Sequence, residues 1–388
     1  MPQQISPCQR SKKLRRLFFC ALQKVSKPKK LFFGKICGKG EKMNEKRKKR
    51  WKMRVAAFLA GLLLTLPIFL GSAQAADRGE VSELVPSGRA VGVKLFADGV
   101  LVVDLSEGAS PARTCGLKEG DVILTCNGVD VQSTEHLQEL LAQNKEDRAT
   151  LEIQRGNRQL ALTATPEKNG DGTYRLGAYV RDSMAGIGTM TFFDPQSGVF
   201  GALGHGVTDV DTGALMPLDE GSTMDASVKA VRRGESGSPG ELRGEFDLTR
   251  DSGTLYANTD CGIFGRADTE NFTAPDVPAL PLAQRDEVKT DRATILSNVS
   301  GTEVREYAIE IEKVFSASAD TRNLLLRVTD EELLEKTGGI VQGMSGSPIL
   351  QNGKLVGAVT HVLVNDATRG YGIFIENMLS AASLKPKI

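Results

Sequence analysis

Histidine is nearly missing from this chain: three occur in 388 residues, beside a single tryptophan. So few imidazoles make the search for a general base short. Cysteine is thin as well, and of the six, Cys8, Cys20 and Cys37 precede the main apolar segment, leaving Cys115, Cys126 and Cys261 beyond it. An odd number without regular spacing argues against a disulfide scaffold or a zinc site, and neither metal nor cofactor is expected. Cys115 and Cys126 sit at small apolar positions and read as core thiols, with one bridge between them left open. Long apolar runs are missing too, because the best, Val55 to Leu70, contains Pro67 and is short for a spanning helix. Helical periodicity is confined to a few pieces, whereas glycine is plentiful at 41 residues, a pattern that favours β structure. The length leaves room for two or three domains.

A formal charge of +1 hides a split between the ends. Residues 1–54 hold 19 Lys and Arg against Glu41 and Glu45, so the remaining 30 bases and 46 acids leave −16 from Val55 onward. The folded body is acidic and the basic part is a tail, which points away from nucleic acid as a partner. Lys46 to Arg54 leads into the apolar run Val55 to Leu70 and then Gly71-Ser-Ala-Gln-Ala-Ala76, the charged region, apolar core and small-residue site of a secretory signal. Residues 1–54 are therefore expected as a basic tail, 55–76 as a signal peptide or retained anchor, and 77–83 as a linker. Met43 would make an ordinary start for such a signal.

Near the other end stands Gly343-Met344-Ser345-Gly346-Ser347-Pro348-Ile349-Leu350, followed by a turn at Asn352-Gly353 and an apolar strand from Leu355 to Val364. A serine hydroxyl needs a base to take its proton and preorganised N–H donors for the oxyanion it creates. Glycines on either side let the backbone turn so that the N–H groups of Gly343 and Ser345 converge on one oxygen. Gly234-Glu-Ser236-Gly-Ser-Pro239 spells a similar loop, but no apolar strand follows it, so Ser236 reads as part of an exposed polar loop.

His205, in Gly201-Ala-Leu-Gly-His-Gly-Val, follows an apolar run and is the candidate base. His136 lies on an amphipathic helix with Ser133 as N-cap and reads as solvated. His361, in the strand after the serine, alternates with Val359 and Leu363; it and Thr360 are expected to line the substrate cleft. The third member of a triad orients the imidazole. Asp209, Asp211 and Asp330 are candidates, and spacing does not choose among them.

Residues 84–166 form a compact module with strand-like runs at 90–95, 99–105, 122–126 and 149–154. Within it, Gly116-Leu-Lys-Glu-Gly-Asp-Val-Ile-Leu-Thr-Cys-Asn-Gly128 and the helix that follows Ser133 resemble a PDZ domain, which binds an extended peptide as an added strand. By that resemblance the groove lies between Val91 to Phe96 and the Ser133 helix. A polar linker is expected at 167–173, and from 174 to 388 the alternating runs fit a barrel-type protease domain.

Taken together, the signal, the PDZ-like module, Leu203-Gly-His-Gly206 and Thr337-Gly-Gly-Ile-Val-Gln-Gly-Met-Ser-Gly-Ser-Pro-Ile349 with Gly357-Ala-Val-Thr-His-Val362 resemble the SpoIVB serine peptidase family. The resemblance implies a mainly β chain, a PDZ domain followed by a chymotrypsin-like double β-barrel, with Ser345 as nucleophile, His205 as base and Asp330 as orienting acid. It further implies an exported, membrane-associated endopeptidase between the two forespore membranes, which processes itself and cleaves a membrane-bound regulator. That cleavage would release an intramembrane protease that activates a late mother-cell sigma factor. A broad-specificity stress protease and a catalytically dead PDZ scaffold are the competing readings.

Overall fold

The computed structural model describes residues 81–144, 148–170, 172–315 and 321–384. The expected tail, signal and most of the following linker lie outside them. In chain order the elements are β1 (Glu83–Pro86), β2 (Ala90–Leu105), α1 (Pro111–Cys115), β3 (Val122–Cys126), β4 (Val129–Asp130), α2 (Thr134–Gln143), β5 (Ala149–Arg155), β6 (Arg158–Ala164), β7 (Glu167–Lys168) and β8 (Tyr174–Arg175). There follow β9 (Ala178–Asp194), β10 (Val199–Ala202), β11 (Glu220–Arg232), β12 (Glu241–Phe246), β13 (Gly253–Thr259), β14 (Gly262–Ala267) and β15 (Leu280–Pro281). The last part holds β16 (Arg292–Ser300), β17 (Glu303–Val314), β18 (Leu324–Val328), α3 (Glu331–Thr337), β19 (Pro348–Gln351), β20 (Lys354–Leu363), β21 (Asp366–Phe374) and α4 (Ile375–Ala381).

Strands β16, β17, β18, β21, β20 and β19 close into a barrel. Period-two patterning produces it: along β17, Tyr307, Ile309 and Ile311 point inward while Ala308 and Glu310 face out. Ile295, Leu326, Ile349, Val359 and Phe374 complete its interior. With this β16–β21 barrel as the second, the other ring, first in chain order, runs β9, β10, β14, β13, β11, β2 and back to β9. Val91, Val93, Leu95, Phe200, Ala202 and Ile263 fill that interior. Phe192 and Phe264 from the first ring pack with Leu355, Ala358 and Ile373 from the second barrel, under helix α4. The chain is thus mainly β, a PDZ domain joined to a chymotrypsin-like pair of barrels.

The module inserted between β2 and β9 of the first ring departs from expectation in its strand pairing. Its core is as read, with Val100, Ile123, Leu137, Leu141, Leu151 and Ile153 buried together, and Ser133 caps α2 by accepting from the His136 N–H at 3.1 Å. Yet residues 90–105 are one strand rather than two, and Val91 to Phe96 is flanked on both edges, by β9 and by β11. With both edges paired, it has no ladder left for a peptide. The strand beside α2 is the start of β9, where the Thr134 N–H donates to Asp182 Oδ2 at 2.8 Å and Ala178 and Val180 pack on the module core. The groove expected at Val91 to Phe96 is therefore not formed there, and the strand segment that lies against α2 is Ala178–Asp182. At the expected linker, β7 pairs with β8 through Glu167 with Arg175 and Lys168 with Tyr174. Cys115 and Cys126 are both free thiols, and burial pushes the Cys126 thiol up.

Candidate active site

The nucleophile loop begins where α3 ends on Gly338, in a left-handed conformation, and finishes where β19 begins. Gly343 and Gly346 have φ of +97° and +98°, which side chains rarely tolerate. Between them the Met344 N–H donates to Val341 O at 3.1 Å, the Ser347 N–H to Met344 O at 3.0 Å, and the Gly346 N–H to Val359 O at 2.8 Å. The N–H groups of Gly343 and Ser345 are different. Among the described residues neither has a protein acceptor, as an oxyanion hole requires. The loop's carbonyls are gripped by Thr189 of β9, whose N–H donates to Ser345 O at 3.0 Å and whose hydroxyl donates to Gly343 O at 2.7 Å. Ser345 itself is half-buried, and its hydroxyl donates to Thr360 O at 2.6 Å.

His205 is delivered by the end of β10. Leu203 and Gly204 both take positive φ, 68° and 67°, and this left-handed turn swings the next residue out of the barrel wall. The His205 Nδ1 lies 2.8 Å from Gly206 O. A carbonyl only accepts, so Nδ1 carries the proton and Nε2 keeps its lone pair. Burial pushes the pKa of this imidazole below its ordinary value, against the Gly206 bond, which favours the charged form. The rings of His205 and His361 lie 4.8 Å apart, centre to centre. Both face a cleft of about 1050 Å³ between the barrels, whose walls include Leu203, Val207, Gly343, Ser345 and Thr360.

Serine, base candidate and oxyanion donors are thus brought to one cleft with Thr360 and His361. The aspartates are not. Asp330 is the N-cap of α3: Oδ1 accepts from the Leu333 N–H at 2.9 Å and Oδ2 from the Ala308 N–H at 3.2 Å. Asp209 is fully buried and Asp211 exposed, and both pair with Arg181 of β9. Among the described residues no carboxylate bonds to His205. Ser236 sits exposed on a turn, its hydroxyl donating to Asn365 O at 2.9 Å. A strand does follow it, β12, but one with a polar outer face paired to β11. His136 lies on the outside of α2. The sequence carried no signal for Thr189, which acts from a strand 154 residues away.

Comparison with known proteins adds a family model described as SpoIVB peptidase S55, matching residues 172–379, and a PDZ domain model matching 103–155. No curated protein matches the chain. Among solved structures, the PDZ domain of an SdrC-like protein from Listeria monocytogenes is 20% identical, over 22% of this chain and 90% of that one, with a TM-score of 0.20. The active form of the Rv3671c protease from M. tuberculosis is 15% identical over 52% and 74%, at 0.29. The HtrA-type protease AlgW with decapeptide is 10% identical over 77% and 64%, at 0.31.

Proposed function

Because the chain belongs to the SpoIVB peptidase S55 family and is a serine peptidase, we propose that Ser345 is its nucleophile and His205 its general base. One observation carries the assignment: a serine hydroxyl, a half-buried imidazole whose Nδ1 is held by a carbonyl, and two N–H groups without acceptors among the described residues share a single cleft. As Ser345 Oγ attacks the scissile carbonyl, its proton leaves the Thr360 carbonyl and passes to His205 Nε2. The oxyanion of the tetrahedral intermediate accepts from the Gly343 and Ser345 N–H groups. The imidazolium then returns the proton to the leaving amine, and water repeats the sequence on the acyl-enzyme. Thr360 and His361 form the wall along which substrate backbone lies.

The orienting role of a triad acid falls here to the Gly206 carbonyl, which holds Nδ1–H and so fixes the tautomer that leaves Nε2 basic. Asp330, the acid that the resemblance implies, has both carboxylate oxygens engaged by backbone N–H groups, of Leu333 in α3 and of Ala308 in β17.

In the cell the peptidase is exported and membrane-associated, processes itself near its N-terminus, and cleaves a membrane-bound regulator. That cleavage releases an intramembrane protease that activates a late mother-cell sigma factor. The basic run before an apolar segment and the PDZ domain ahead of the peptidase region support this reading. Co-expression with a membrane-bound candidate substrate tests it: wild-type protein shortens itself and the substrate, and Ser345→Ala does neither. Self-processing that survives Ser345→Ala sinks the proposal.

A further inference from the structure

Strand β9 connects parts of the site that lie far apart in the chain. Thr189 holds the oxyanion loop, through Ser345 O at 3.0 Å and Gly343 O at 2.7 Å. Eight positions earlier on the same strand, Arg181 pairs by its backbone with Leu101 of β2 and sends its guanidinium to the loop that follows His205. There it meets Asp209 and, at 3.0 Å, Asp211.

Asp209 organises that loop from the inside. Its Oδ1 accepts from the N–H groups of Asp211 at 3.1 Å and Thr212 at 2.9 Å and from the Thr212 hydroxyl at 3.0 Å, while Oδ2 takes Arg181. Its backbone closes the turn, donating to Ala214 O and accepting from the Gly213 N–H, both at 2.8 Å. The carboxylate is wholly buried, and its cationic partner among the described residues is Arg181. A buried carboxylate stripped of its counter-charge is strongly unfavourable, so the loop's position depends on that guanidinium. From the other side Asn258 of β13 ties the same loop, accepting from the Val207 N–H at 2.9 Å and donating to Val207 O and Met216 O at 2.9 and 2.8 Å.

We propose that Arg181 is a positioning residue for the base: acting through Asp209, it registers the His205 loop on β9, the strand that also fixes the nucleophile loop. Base and oxyanion hole then share one reference, although they come from different barrels. The inference rests on the reading of His205 as base and Ser345 as nucleophile. Misplacement of a catalytic group by about 1 Å costs on the order of 10²-fold in rate, which sets the size of the expected effect.

The test is the rate of fluorophosphonate labelling of full-length protein, resolved into kinact and KI and expressed per folded molecule from a parallel melting curve. Arg181→Gln should lower kinact by about 10²-fold with KI nearly unchanged, and Arg181→Lys should recover much of the loss. Should Arg181→Gln fail to fold, the double variant Arg181→Gln with Asp209→Asn removes the unpaired charge while keeping an acceptor for the Asp211 and Thr212 N–H groups. It should fold and still label slowly. A wild-type kinact per folded molecule in either variant overturns the proposal, because it would reduce the pair to a fold-stabilising contact. Failure of the wild type to label at Ser345 is a separate outcome that removes the underlying assignment, and this inference with it.

Discussion

Burial of the His205 imidazole disfavours its charged form, so the pKa in the folded protein lies below the ordinary 6.5. The ring is then neutral at pH 7 and ready to accept a proton. Two consequences share one sign. The acid limb of Ser345 labelling against pH should fall below 6.5, and a limb at or above it would contradict a buried base. Stability contributed by the neutral ring is present above the unfolded pKa and is lost as pH falls through the lower, folded one. Asp330 is a second test at this scale. Asparagine caps a helix about as well as aspartate, so Asp330→Asn should label at close to the wild-type rate, whereas Asp330→Ala should cost about 1 kcal/mol of stability. A loss of about 10⁴ in the Asn variant would instead return the carboxylate to His205. The sequence made Ser345 and His205 legible as candidates because Gly204, Gly343 and Gly346 are required by positive φ and because the histidines are so few. It could not separate two meanings of Val328-Thr-Asp-Glu-Glu-Leu-Leu334. The same run reads as the acid that the resemblance implies and as an aspartate N-cap followed by an acidic first turn, and the structure shows the N-cap.

Among the elements, the loop from Gly343 to Ser347 is held by contact with β9 rather than by its own hydrogen bonds alone. A Cβ on Gly346 would lie 2.0 Å from Thr189 O and 2.6 Å from Leu203 N, both backbone atoms, at a φ of +98°. Gly346→Ala should therefore abolish labelling while Ser236→Ala leaves it unchanged, since Ser236 is exposed on a turn with its hydroxyl on a backbone carbonyl. Retained activity in Gly346→Ala would mean that the loop is not seated as described. The strand β2 shows why element identity was easier to read than partnership. The sequence reads 90–95 and 99–105 as two separate strand-like runs. Gly99 does take φ +93°, but the register merely shifts between Phe96 and Leu101, and the strand runs on from barrel to module. Apolar alternation reports which face is buried, not which strand lies alongside. The expected groove at Val91 to Phe96 consequently falls on a strand segment with no free edge.

For the whole molecule, sharing β2 and β9 between module and barrel changes what a truncation means. Removing 84–166 would delete Ala90 to Phe96 from the first ring, and such a protein should fail to fold. Leu105 and Ala178 are register partners, so replacing 106–177 by a two-residue Asn-Gly turn removes the module and preserves both barrels. That variant should still label at Ser345 yet lose cleavage of a membrane-bound substrate, if the module's contribution is effective concentration. Undiminished cleavage would make the module a spacer. The central claim, one cleft in which His205 activates Ser345, is tested most directly by mapping the fluorophosphonate adduct in full-length protein. The adduct should sit on Ser345, vanish in Ser345→Ala, and form several orders of magnitude more slowly in His205→Ala. An adduct on Ser236, or labelling of Ser345 indifferent to the loss of His205, would contradict it.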